Sequence, residues 1–352
     1  MNELNRTLAQ IATPDESARQ AAARYLDTLT KPPGSLGRLE ELAVQLAGIT
    51  GELRPDLAAK AVVVMAADHG VCEEGVSAFP QEVTAQMVMN FLGGGAAINV
   101  LARQAGAAVF CVDIGVKAEL SHEALRVRKV RPGTANIARG PAMSREEAAR
   151  AIEAGIAVAR ELAGQGFKVL ATGEMGIGNT TPSAAMMAVL CGIDAEHTVG
   201  RGTGVDDAGV ERKRDVIRRA IACNAPDAGD PLDVLGKLGG LDIAGLTGLI
   251  LGAAAERLPI VVDGFISTVA ALTAVRLAPQ AIGYLIPSHL SQEQGHRLLL
   301  ERLGLAPMLD MRMRLGEGTG AALAFPLLDA AVSIMREMAT FESAGVSGGP
   351  SA

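Results

Sequence analysis

The sequence predicts an α/β protein in which helices cover both faces of a mostly parallel sheet. Three observations carry that expectation. Short runs rich in Val, Ile or Ala at residues 61–66, 108–114, 168–172, 259–262 and 281–286 alternate with longer stretches of helical spacing, the pattern of successive βαβ units. The runs are apolar, as strands buried on both faces must be. Each ends in a loop of small or polar residues, and ligands of such sheets bind beyond the carboxyl ends of the strands.

Composition narrows the function. The chain has 352 residues, 49% of them hydrophobic and 20% charged, enough to bury a large core. A net charge of −7, no Trp and 3% aromatics lack the basic stripe and stacking rings of a nucleic-acid binder, so small-molecule partners are expected and nucleic acid is not. The apolar stretch 243–255 lies between Asp242 and Glu256. It falls short of the roughly 20 residues that span a bilayer, so it reads as a core helix and no membrane partner is expected. Residues 1–10 are polar with no apolar segment after them, which places the protein in the cytoplasm. Cys72, Cys111, Cys191 and Cys223 are widely spaced without a C-x-x-C pair, fitting reduced thiols rather than a zinc site or disulfide frame.

In chain order, residues 14–30 have helical spacing after the start signal Pro14-Asp15, and KPPGSLG at 31–37 makes a rigid turn before a second helix at 38–47. The run at 61–66 leads into Asp68-His69-Gly70. Adjacent side chains at a strand end point to opposite sides, so Asp68 and His69 make a poor metal pair, and Asp68 reads as a turn cap. The run at 108–114 carries Asp113 at its end. The loop after 168–172 is the most informative: GEMGIGNTTP at 173–182 leads into an Ala/Met-rich helix. A strand, a glycine-rich turn and a helix start leave backbone N–H groups free for an anion, here a phosphate. The loop lacks both G-x-G-x-x-G and G-K-[ST], so the two commonest nucleotide motifs fail at their defining residues.

A second glycine loop, GRGTG at 200–204, precedes a basic helix with Lys213. Asp263-Gly264 ends the fourth run, and the fifth is followed by PSHLS at 287–291, where Ser291 is either an N-cap or a phosphate ligand. Finally, LGEGTG at 315–320 sets Glu317 between glycines ahead of a helix at 321–338, which lets the backbone bring one carboxylate close to a ligand. The tail 343–352 is rich in Ser, Gly and Pro and is expected to be disordered.

KPPGSLGRLE at 31–40, AADHGV at 66–71, GEMGIGNTTP at 173–182, VDGF at 262–265, IPSH at 286–289 and RLGEGTGAALA at 314–324 together closely resemble the nicotinate-nucleotide–dimethylbenzimidazole phosphoribosyltransferases, which make α-ribazole phosphate for the lower ligand of cobalamin. The likeness runs to about residue 340. It implies a doubly wound parallel α/β domain over residues 61–299 and a smaller helical domain formed by both chain ends, residues 1–60 and 300–340, in a homodimer that needs neither cofactor nor metal. It also implies that Glu317 is the general base with Glu174 beside it, and that Gly176, Gly178, Asn179, Gly202, Lys213 and Ser291 hold the phosphoribosyl phosphate. Phe79, Gln86, Met87 and Leu315 would surround the acceptor base. In that region Phe79 stands where the family carries Ser, and Met87 stands where it places Gln, which leaves the preferred base open.

Nicotinate is a pyridinium in the donor nucleotide and leaves as a neutral ring, so the chemistry asks for one base. A chain with one strong acid candidate and no clustered His or Cys suits it. An NAD-dependent oxidoreductase is disfavoured by the missing dinucleotide motif. A non-catalytic nucleotide-binding regulator is disfavoured by the intact Glu317 and glycine loops.

Overall fold

The computed structural model describes residues 2–202 and 204–347. Six strands form one all-parallel sheet: β1 Lys60–Ala67, β2 Ala107–Gly115, β3 Arg126–Val127, β4 Val169–Met175, β5 Ile260–Val262 and β6 Leu285–Pro287, in the order β3-β2-β1-β4-β5-β6. The winding direction reverses between β1 and β4, and a crevice opens there at the strands' carboxyl ends. Met65 of β1 is paired with Glu174 of β4. The expected α/β class is therefore present in its doubly wound form.

β1 explains why the strands read as unbroken apolar runs. All eight of its residues are buried. Ala61, Val63, Met65 and Ala67 face one core, and Val62, Val64 and Ala66 face the other, so the period-2 alternation of a strand serves two layers at once. The first layer is built on the helices Arg145–Gly164, Thr180–Cys191, Leu241–Ala255 and Phe265–Leu277. The second is built on Glu16–Asp27, Arg38–Thr50, Val83–Leu92, Ala97–Gln104 and Thr319–Glu337.

The apolar stretch after Asp242 forms the first layer's central helix, Leu241–Ala255, buried along almost its whole length. Its glycines let it meet Arg145–Gly164 closely: a Cβ on Gly248 would stand 1.9 Å from the Ile152 carbonyl, and one on Gly155 would stand 2.0 Å from the Gly245 carbonyl. Two other stretches, Val83–Gln104 and Thr319–Glu337, are long and apolar enough to cross a bilayer by length and composition alone. The first is interrupted at residues 93–96 and forms two helices. The second buries Ala321, Phe325, Leu328 and Val332 in the core.

Two expectations need correcting. Residues 281–284 are part of a 3₁₀ helix, Pro279–Tyr284, and only Leu285–Pro287 extends as a strand; a short apolar run serves either state, and Pro279 starts the turn. Within the tail expected to be disordered, Ser343 and Ala344 close the short helix Phe341–Ala344, capped where Thr340 Oγ1 accepts from the Ser343 N–H at 3.0 Å; residues 348–352 lie outside the described residues. The polar start of the chain folds as Glu3–Gln10. Asn2 caps it, and Leu4 and Thr7 are buried at its contact with Arg145–Gly164 and Leu241–Ala255. Strand β3 has no apolar run to announce it: its two residues, Arg126 and Val127, pair with β2 at Val112 and Asp113.

Candidate active site

At the reversal point lies a cavity of about 590 Å³, lined by the loops after β4, β5 and β6 and by the Glu317 loop. Its floor is a set of carboxylates. Glu174, the penultimate residue of β4, is buried. Its Oε2 accepts a short hydrogen bond from the Asn179 side-chain amide, and its Oε1 accepts from the Glu317 backbone N–H at 3.4 Å. Burial pushes its pKa up to about 8; the Asn179 hydrogen bond opposes this, and Asp242 and Asp263 add to it. At neutral pH Glu174 is accordingly an uncharged acid.

Glu317 reaches the same floor at a conformational cost. Gly316, Glu317 and Gly318 all have positive φ, at 84°, 62° and 91°. A Cβ on Gly316 would stand 2.0 Å from Glu174 Oε1, and one on Gly318 would stand 2.6 Å from Val62 Cγ1. Only glycine fits either place, whereas Glu317 itself holds a left-handed backbone unusual for a side-chain-bearing residue, strain of about 1–3 kcal/mol. Asp263 offsets it. From the end of β5 its carboxylate accepts N–H groups of Gly318 (3.2 Å), Gly320 (2.8 Å) and Ala321 (3.1 Å), which anchors the start of Thr319–Glu337. Burial raises the pKa of Asp263, against the pull of His289 and those three N–H groups. Burial also raises that of Glu317; the Ile98 N–H, donating to its Oε2 at 3.3 Å, opposes this, and Asp263 adds to it.

Arg314 and Glu293 also line the cavity. Arg314 donates to the Gly202 carbonyl at 2.9 Å. Behind that loop Lys213 is buried, donating to Thr180 Oγ1 at 2.9 Å and to the Gly200 carbonyl at 3.2 Å. Burial lowers its pKa to about 8, with Glu293 opposing. Asn179, Thr180 and Gly176 also line the cavity, and no side chain caps the first turn of Thr180–Cys191. The Thr181 N–H donates to the Gly178 carbonyl and Pro182 has no N–H, so this helix start offers an anion its dipole and the Thr180 N–H. Ser291 lines the same wall. Its N–H donates to His296 Nδ1 at 2.9 Å, and burial first and His289 second hold His296 neutral, with a pKa of about 3. The third wall is apolar: Phe79, Val83, Met87, Met175, Ile177 and Leu315.

Of the expected residues, Glu317, Glu174, Gly176, Asn179, Gly202, Ser291, Phe79, Met87 and Leu315 thus converge on one cavity. Three do not line it. Lys213 stands behind Gly202 and Thr180, Gly178 is a turn residue packed on Cys72, and Gln86 is exposed on the helix Val83–Leu92. Sequence reasoning missed Asp242, His289, Glu293 and Arg314, and it saw in Asp263 only another strand-end acid. Arg314 and His289 sit inside the motifs, so their neighbours were a signal. Asp242 had none, because it reads as the polar boundary of a core helix.

A family profile described as phosphoribosyltransferase matches residues 11–346. A protein of Chloroflexus aggregans named nicotinate-nucleotide–dimethylbenzimidazole phosphoribosyltransferase is 57% identical over 99% of both chains. One of the same name from Halalkalibacterium halodurans is 55% identical over 99% of this chain and 98% of its own. A crystal structure of CobT from Thermus thermophilus superposes with a TM-score of 0.92 at 52% identity, covering 95% of this chain and all of that one. A second from the same organism, titled as the same phosphoribosyltransferase, superposes at 0.90 with 51% identity over the same shares of the two chains. Fold, cavity and relatives agree, and the chain belongs to the nicotinate-nucleotide–dimethylbenzimidazole phosphoribosyltransferase family.

Proposed function

We propose that this enzyme transfers the phosphoribosyl group of nicotinate mononucleotide to 5,6-dimethylbenzimidazole or a related base, giving α-ribazole 5′-phosphate and nicotinate, with Glu317 as general base. The observation that carries this reading is the make-up of one cavity: the carboxyl pair Glu317 and Glu174, an apolar wall at Phe79, Met87 and Leu315, and Arg314 with the start of Thr180–Cys191 to meet a phosphate.

One benzimidazole nitrogen attacks C1′ as the C1′–nicotinate bond breaks. The bonding pair stays with the departing pyridine nitrogen, which becomes neutral and needs no proton. The base gains positive charge, its remaining N–H becomes acidic, and Glu317 takes that proton. Attack opposite the leaving group turns a β-nucleotide into an α-nucleotide. The loops at Gly176 and Gly202, with Lys213 behind them and Ser291 beside them, fix the 5′-phosphate and so orient C1′. The reading extends to a cytoplasmic homodimer in which residues 61–299 are the catalytic unit and residues 1–60 with 300–340 the helical one. A product assay with nicotinate mononucleotide and a panel of benzimidazoles tests it. Formation of an α-nucleotide with release of nicotinate is expected. A β-configured product, or none with any benzimidazole, overturns the assignment.

A further inference from the structure

Beneath the carboxyl floor lies a buried chain of polar groups that the proposed chemistry does not use. His69, just past β1, sets its Nε2 3.2 Å from the Asp242 carboxylate. Asp242 Oδ2 accepts from the Asn179 side-chain amide at 3.0 Å, and the same amide nitrogen makes the short hydrogen bond to Glu174 Oε2. All four side chains are buried. Space for them is made by glycines: a Cβ on Gly240 would stand 2.3 Å from His69 Cε1, and one on Gly176 would stand 2.8 Å from His69 Nε2 and 3.0 Å from Asp242 Oδ2. Both glycines sit where their loops meet the pair, so the close approach is built in. His69 Nδ1 is buried with no hydrogen-bond partner.

Asn179 commits both N–H bonds of one amide to two carboxyl groups, so it holds Asp242 and Glu174 within a few ångströms of each other. Two carboxylates at that distance repel unless a cation or a proton intervenes. His69 is the cation available to Asp242, and a proton on Glu174 relieves the other end. We propose that His69 and Asp242 are a positioning pair for the transfer reaction: His69 neutralises Asp242, Asp242 anchors the Asn179 amide, and Asn179 holds Glu174 with its Oε1 against the Glu317 backbone. The proposal rests on Glu174 belonging to the reacting site. It adds residues of the β1 loop and of Leu241–Ala255 that touch neither the cavity nor, on this reading, either substrate.

The charges are arranged to make this sensitive to pH. Burial lowers the pKa of His69, and Asp242 and Asp68 together outweigh that and hold it above the usual histidine range. Glu174 faces Asp242 from Leu241–Ala255, Asp263 from the end of β5 and the amide of Glu317. Removing the negative charge of Asp242 eases ionisation of Glu174. Removing the positive charge of His69 leaves Asp242 unbalanced and hinders it.

The test compares Asp242→Asn, His69→Gln and Glu174→Gln with the unaltered enzyme by kcat, KM for nicotinate mononucleotide, the pH profile of kcat, and Tm. Both pair variants are expected to lower kcat by about 10²-fold, the cost of an ångström-scale misplacement, with KM within about threefold. In the unaltered enzyme ionisation of Glu174 is expected to set an alkaline limb of kcat, and this limb should move to lower pH in Asp242→Asn, to higher pH in His69→Gln, and vanish in Glu174→Gln. A purely structural role would lower Tm and activity together and leave the limb in place, which overturns the proposal. So does kcat within about threefold of the unaltered enzyme in both pair variants while Glu174→Gln is impaired. If Glu174→Gln keeps the alkaline limb, it is the reading of Glu174 that fails. If Asp242→Asn does not fold, the limb of His69→Gln decides alone, and failure of both to fold assigns the pair to stability and overturns it.

Discussion

Glu317 combines three properties that seldom coincide in one loop acid: a positive φ, burial, and a raised pKa whose first cause is that burial. Strain and desolvation are both costs, and the fold meets them by dedicating Gly316, Gly318 and Asp263 to the same loop. Replacing Glu317 by Gln keeps its size and its bond to Ile98 in reach but removes the proton acceptor. We expect kcat to fall by about 10²–10⁴-fold, with donor binding and Tm little changed; turnover within about threefold at saturating substrate would remove Glu317 from the role of base. Glu174 carries its own pH signature. Its folded pKa, about 8, lies above the ordinary carboxyl value, so the folded state keeps a proton that the unfolded chain has released, and stability falls as pH rises from the ordinary carboxyl range to about 8. Glu174→Gln removes that dependence. The Tm difference between variant and unaltered protein should therefore move in the variant's favour between about pH 5 and pH 8, and a constant difference would contradict the burial argument.

At the scale of the elements, strand ends and glycine loops were legible and the partners of those loops were not. The runs at 61–66, 108–114 and 168–172 match β1, β2 and β4 within a few residues, because a strand buried on both faces has to be apolar at every position. GEMGIGNTTP reads as one loop, whereas its first three residues extend β4 and its last three start Thr180–Cys191, so the turn is confined to residues 176–179. What failed was weakly encoded. The 3₁₀ helix Pro279–Tyr284 and strand β6 share one apolar run, and β3 is two residues held by its neighbour. Asp242 and His69 were invisible as a pair because 173 residues separate them and only the packing of Leu241–Ala255 against β1 brings them together. The 200–204 loop and the helix Asp207–Asn224 act as a unit through Lys213, which ties Thr180 to Gly200. Lys213→Ala should mainly raise KM for nicotinate mononucleotide and spare kcat, and nicotinate riboside should be a poor donor. Because burial sets the Lys213 pKa at about 8, donor affinity should weaken above that pH as the ammonium is lost; equal reactivity of riboside and mononucleotide would remove the phosphate from this end of the cavity.

For the whole molecule, the two layers of the sheet divide the labour. Asp263, Glu174 and the start of Thr180–Cys191 rise from the carboxyl ends of buried strands and are held by both cores, whereas Phe79 and Leu315 are 52% and 58% exposed and Met87 is half-buried on the helix Val83–Leu92. The reacting groups are rigid and the acceptor wall is at the surface. This contrast sets the specificity to expect. A rigid floor demands one geometry of attack, while an apolar, exposed wall of Phe, Met and Leu offers adaptable contact and few hydrogen-bond donors with which to reject a neighbouring base. Apolar contacts discriminate by roughly 10–200-fold for a methylene-sized change, so several benzimidazoles should compete within that range, with methyl substituents favoured for the area they bury. Met87→Gln, which puts an amide on this wall, should narrow the range toward bases able to hydrogen-bond it, and Phe79→Ser should open the mouth at some cost in KM for the acceptor. Competition assays with pairs of bases on the three proteins decide the matter. A preference above about 10⁴-fold for one base in the unaltered enzyme would require a hydrogen-bonded acceptor site that this wall does not contain.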